Sequence, residues 1–243
     1  MRWSDRAVRE FLDWQRLTIY GSKITNKHRL DSDFLIILWK DHVSGGNITK
    51  YFLSELYTAD TNDIIFDIRS EPYVLYGQGI KYQGYFDATN KNLVSAIGCG
   101  GINQWLGVLV HETCHMDQYL NDTESWCNYD GASIDDWIAG KNFLKRRIYE
   151  TIDSTQELEL DCEIRTVKKI KKFQLPIDIE EYTKKANAYI FFHQFLKESR
   201  HWPEPPRTLY NDKIWQAMPA YFLPRSEYLI LPDEYRKLYK KHL

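Results

Sequence analysis

The sequence predicts an α+β fold, with a small, mostly antiparallel sheet early in the chain and a mainly helical C-terminal part. Three observations carry this. Between Asp63 and Ile97, short runs of β-branched and aromatic residues alternate with Gly, Pro and Asn turn signals. On either side, apolar residues recur every three or four positions, the period of a helix. The 243 residues contain no internal repeat and no low-complexity linker, so one domain is expected, with a first lobe over 1–120 and a second over 121–243.

The elements follow in order. Ser4 is placed to cap a first helix that carries Val8, Phe11 and Leu12 on one side. "DFLIILWK" (33–40) is either a buried strand or part of a helix, which periodicity alone leaves open. "NITKYFLSELY" (47–57) reads as a helix. The runs "DIIFDI", "YVLYG", "KYQGYFDA" and "NLVSAI" read as strands. Gly98, Gly100 and Gly101 then break the chain before a helix over Gln104 to Leu120. A polar loop (121–135) leads into the helical part, where Asp178 and Glu181 form a capping box for "IEEYTKKANAYIFFHQFLKESRHW". The prolines of "WPEPP" (202–206) end that helix, and two short helices are expected near 212–218 and 233–241.

Charge excludes some functions. With 32 basic and 34 acidic residues the net charge is −2, so no overall field draws the chain to nucleic acid or to an anionic membrane. The basic run Lys168, Lys169, Lys171 and Lys172 reads as the solvated face of a helix. The N-terminal residues lack the apolar stretch of a signal peptide, and no segment approaches membrane-spanning length. Four cysteines (Cys99, Cys114, Cys127 and Cys162) form no CxxC pair, and reduced thiols in a cytoplasm are expected.

The chemistry concentrates in "GVLVHETCHMDQYL" (107–120). On a helix, Trp105, Leu106, Leu109, Val110, Met116 and Leu120 gather on one side. His111 and His115 stack one turn apart on the other, as two ligands of one metal must. Glu112 lies about a quarter-turn round, able to reach a metal-bound water without binding the metal. Gln118 shares the histidine face, where it either orients a ligand or substrate or, the simpler reading, is an exposed glutamine. Cys114 points elsewhere and reads as a small packing residue. The alternative is a pair of surface histidines on an amphipathic helix.

"VLVHETCH", after the strand-like "NLVSAI", resembles the active helix of the zincin metallopeptidases, and a zincin-like fold is what that resemblance implies. The subgroup that requires Gly at 118 and His at 121 is excluded, because Gln118 and Asn121 stand there. Peptide deformylases are excluded because Cys99, in "IGCGG", does not fit their cysteine ligand. The gluzincin subgroup takes a glutamate from a later helix, in a pattern like E-x-x-x-D or E-x-x-x-E. "STQELELDCEIRTVKKI" (154–170) offers two registers, Glu157 with Asp161 and Glu159 with Glu163. Close packing of that helix favours small residues three and seven positions after the ligand. Cys162 and Thr166 satisfy this for Glu159, whereas Leu160 and Ile164 do not for Glu157. The runs "HETCHMDQ", "ELELDCE" and "KKANAYIFFHQFLKESRHWP" are also similar to zincin-like proteins encoded by bacteriophages.

The expectation is therefore a zinc-dependent hydrolase, a metallopeptidase acting on a peptide or protein. His111, His115 and Glu159 would hold Zn²⁺, with Glu163 orienting a ligand. Glu112 would be the general base toward a zinc-bound water. Tyr189 and His193 are the candidate donors to an oxyanion, or packed core residues. A second class stays open: a non-catalytic, zinc-stabilised structural or interaction protein, for example a virion component.

Overall fold

The computed structural model describes residues 5–19, 27–76, 80–203 and 208–243, so Ser4 and most of the "WPEPP" segment lie outside it. The fold is α+β, with a small mixed sheet. Its contacts divide into two compact units. The first takes the chain up to Met116 together with Lys169–Ile177, and the second takes Asp117–Lys168 and Asp178–Leu243.

In the first unit, α1 (Asp5–Trp14) runs into a π-helical turn, Gln15–Ile19. Strand β1 (Arg29–Leu30) leads to α2 (Ser32–Val43) and α3 (Ile48–Thr61). Then come β2 (Ile65–Arg69), β3 (Val74–Tyr76), β4 (Ile80–Tyr82), β5 (Gly84–Asp87), β6 (Asn92–Ala96) and α4 (Ile102–Leu120), whose last residues belong to the second unit. "DFLIILWK" proves helical. The Asp31 side chain caps α2 by accepting from the Asp33 N–H at 2.8 Å, and such a cap favours a helix over a strand. Phe34, Phe52, Phe66 and Trp105 meet edge-on or tilted, with centroids 4.8–5.9 Å apart, and join α2, α3, β2 and α4 in one core.

The strand order is β1-β2-β6-β5. The sheet is mixed, not mostly antiparallel. Four strand-like runs in succession suggest a meander, but two connections leave the sheet before returning. The α2–α3 crossover brings β2 parallel to β1, and the separate hairpin β3–β4 together with β5 comes between β2 and its parallel neighbour β6. Only β5 turns back antiparallel, on β6. The short β1 carries too few residues to show any alternation in the sequence.

His28 ties this sheet to α3. Its Nδ1 accepts the Phe66 N–H at 3.1 Å, so Nε2 carries the proton and faces Asp60 Oδ1 at 3.2 Å. Burial lowers its pKa below 6.5, against the opposing pull of Asp60, and the neighbouring Lys27 lowers it further. The folded pKa lies below the unfolded one. The contribution is therefore fully present above pH 6.5 and is lost as the pH falls below it, when a proton on Nδ1 displaces the Phe66 bond. Wild-type Tm should fall across that acid range more steeply than that of His28→Gln. Parallel Tm curves would refute this role.

The second unit holds α5 (Glu124–Cys127), α6 (Gly131–Ile138), most of α7 (Lys145–Phe173), α8 (Ile179–Ser199), α9 (Asp212–Trp215), α10 (Arg225–Tyr228) and α11 (Asp233–His242). Asp178 caps α8 by accepting from the N–H groups of Glu180 and Glu181 at 2.9 and 3.1 Å. Ile148, Ile152, Phe191, Phe192, Leu196, Tyr228 and Tyr239 are buried in a single core. Polar side chains within it are satisfied by backbone: Gln156 donates to Ile190 O and Tyr228 O, and Tyr239 to Ala188 O. Among the described residues, no helix is long and apolar enough to cross a membrane.

Candidate metal centre

Helix α4 follows the glycine break directly, with Gln104 N–H donating to Gly101 O to open it. A side chain at Gly98 would sit 2.4 Å from Ser70 O, so only glycine allows the chain to pass there. Trp105, Leu106, Leu109, Val110, Cys114 and Met116 are all buried, Cys114 as the packing residue expected. In the first unit the structure brings His111 and His115 together. Their Nε2 atoms are 3.1 Å apart, with ring planes at 86°. Two nitrogens bound to one tetrahedral zinc at ~2.0–2.1 Å would be about 3.3 Å apart, so the pair fits a shared metal with little adjustment.

Glu112 is 7% exposed. Strand β5 runs against it: a Cβ at Gly84 would lie 3.1 Å from Glu112 Cγ and 2.8 Å from Val108 Cγ1. Gly84 therefore sets the approach of the strand to the helix. Gly84→Ala should cost about 1–3 kcal/mol by overpacking and should displace the Glu112 side chain. Urea denaturation measures the first effect. Unchanged stability would mean that the strand and helix separate without cost.

The second unit collects the acids of α7. Glu159 and Glu163 are buried, as are Cys162 and Thr166, while Glu157 pairs with Arg225 at 2.5 Å and is 36% exposed. Burial thus distinguishes the two registers, with Glu159 and Glu163 inside and Glu157 at the surface. Asp161, the supporting acid of the other register, accepts from Gln118 at 2.9 Å and from Arg165 at 2.6 Å. Gln118 is not an exposed glutamine. It is fully buried and also donates to Leu158 O at 2.9 Å, because a primary amide can satisfy a helix carbonyl and a carboxylate at once.

Glu163 Oε2 accepts the Tyr182 hydroxyl at 2.6 Å. Burial first, and then the Glu163 charge, hold the Tyr182 pKa well above 10.0, so it stays a donor at neutral pH. Tyr189 and His193 meet edge-on one turn apart on α8, with centroids 5.0 Å apart. His193 Nδ1 lies 3.1 Å from Tyr189 O, and since a carbonyl only accepts, Nδ1 carries the proton. Burial lowers the His193 pKa and Glu159 opposes that. Burial raises Tyr189, with Glu159 adding to it. Both candidate donors therefore lie in the field of Glu159.

Two partners were missed in the sequence. Tyr182 carries no signal of its own in the sequence, and only its place in the first turn of α8, against Glu163 of α7, makes it a partner. Lys169 reads as part of a solvated run, yet its side chain is 13% exposed and its Nζ donates to Glu55 at 2.9 Å and to Thr113 O at 3.3 Å. Its neighbours Lys168, Lys171 and Lys172 are exposed as expected. Compared with known protein families, curated proteins and solved structures, the chain matches none.

Proposed function

We propose that the protein is a zinc-dependent hydrolase of zincin-like fold, a metallopeptidase. The observation that carries the reading is the convergence of the His111 and His115 Nε2 atoms at 3.1 Å, with Glu112 beside them on the same helix. Glu159 is the third donor on this reading, and Glu163, held by Tyr182, orients the ligand set. Two imidazoles and a carboxylate suit zinc and leave a position for water. Zinc bound there supplies Lewis acidity, lowering the pKa of a water and polarising a carbonyl. Glu112 takes a proton from the attacking water and returns it to the leaving amine. Cys162, one turn after Glu159 and fully buried, is the other donor on α7 whose chemistry suits the two histidines.

Elemental analysis of protein prepared in metal-free buffer and then supplied with zinc should find about one equivalent per chain, since the donor set fills three of four tetrahedral positions. Glu112→Gln should keep that zinc and lower peptide hydrolysis by roughly 10²–10⁴-fold, the range for loss of a general base. Zinc retained without hydrolysis of any peptide by the wild type would instead favour the zinc-stabilised structural reading. No zinc uptake would remove both.

A further inference from the structure

Strands β1 and β5 are the two edges of the four-stranded sheet, and β5 is the one that runs against Glu112. The other edge carries a cleft of about 280 Å³, at the carboxyl ends of the parallel strands β1 and β2. From there β1 leads into α2, whose Phe34 packs on the face of the sheet that holds Phe52 and Phe66. Strand β2 leads toward β3, whose Val74 packs on Val94 and Ala96, the opposite face. Connections that part to opposite faces open a crevice between them, the place where open parallel sheets hold their ligands.

Two guanidinium groups and three carboxylates meet at this cleft. Asp67, 3% exposed, is satisfied by Arg69 alone, whose Nε and Nη2 donate to its two oxygens at 3.1 and 2.7 Å. The Nη1–Nη2 edge of Arg69 is left for a second carboxylate, in a plane that Asp67 fixes. Arg29 comes no closer to Asp67 than 3.4 Å and its side chain is 67% exposed, so the buried acid does not require it. One oxygen of Asp31 accepts both the Asp33 N–H and the Ser70 hydroxyl, which leaves the second oxygen uncommitted among the described residues. Glu71 stands exposed at the rim.

We propose that this cleft binds a small zwitterion of the α-amino-acid class, its carboxylate held between Arg29 and Arg69 and its ammonium by Glu71 and Asp31. Arg69 and Asp67 cancel, and Arg29 then faces two acids, Asp31 and Glu71. That excess of negative charge repels a phosphate or a simple carboxylate and favours a ligand that brings its own cation. The volume falls just below the ~300–1,000 Å³ of drug-sized sites, which suits one amino acid and not a peptide. The cleft shares no residue with α4, so the proposal stands apart from the zinc reading.

Calorimetric titration of the intact protein with each standard amino acid, and with inorganic phosphate, tests this. At least one amino acid should bind with a Kd of about 1 mM or tighter, and phosphate should bind more weakly. Blocking either charge of that amino acid, in its N-acetyl or its amide form, should weaken it about ten- to a hundred-fold, the worth of a charge-assisted hydrogen bond. Arg29→Gln and Glu71→Gln should each weaken it as much and leave urea stability unchanged, since both side chains are exposed. An N-acetyl form that binds as well as the free amino acid overturns the zwitterion, and so does tighter binding of phosphate. Binding that Arg29→Gln leaves unchanged, as an amino acid chelated to zinc would show, overturns the site. Failure of every amino acid to bind overturns it too.

Discussion

Replacing Glu159 by Gln should be the most damaging change on α7 to zinc affinity, exceeding the ~10–100-fold carried by supporting residues, because it removes an anionic donor. Glu163→Gln should fall within that range, since it keeps an acceptor for Tyr182 and loses the charge. Glu157→Gln should do little, because that carboxylate is spent on Arg225 at the surface. Competition with a chelator across the three variants and Cys162→Ser decides the ligand. The largest loss at Glu157 would move the site to the other register, with Asp161 supporting. The largest loss at Cys162 would give a thiolate set in place of the carboxylate.

Lys169→Met should cost about 3–5 kcal/mol, the penalty for leaving a buried carboxylate without its counter-ion. Glu55 is 8% exposed at its side chain, and the Lys169 ammonium also caps Thr113, whose Oγ1 lies 2.7 Å from the Tyr51 hydroxyl. Lys169→Met combined with Glu55→Leu should recover most of the loss, since an apolar pair of similar volume needs no counter-ion. Urea denaturation of the two single variants and the double gives the coupling directly. Additive losses would mean that the two charges do not stabilise one another.

The sequence made parts of this molecule readable where local chemistry decided the outcome. The α4 histidines lie one turn apart because a helix puts them there, and the 3.1 Å between their nitrogens follows from that spacing. The burial of Glu159, Glu163, Cys162 and Thr166, with Glu157 outside, was legible from the helical wheel of α7. What was not legible depended on partners distant in the chain. Lys169 looks like Lys168 and Lys171 until Glu55, 114 residues away, is placed opposite it. Gln118 looks solvent-facing until Leu158 O and Asp161, some forty residues on, are placed against its amide. Parallel pairing was hidden for a similar reason: β1 shows no alternation over two residues, and its partner comes after two helices.

The division of the chain bears on its synthesis. The first unit needs Lys169–Ile177 to be complete, and Tyr51 waits for Phe173, whose ring centroid lies 5.3 Å from its own in the finished fold. As the chain leaves the ribosome, the sheet and α1–α3 emerge well before that segment does. The Glu55 carboxylate and the Tyr51 ring therefore remain uncovered while 117–168 is translated, a stretch that belongs to the other unit. The first unit cannot finish as a nascent N-terminal half. Its completion during synthesis should wait for Lys169–Ile177, with the uncovered Glu55 and Tyr51 open to chaperones until then.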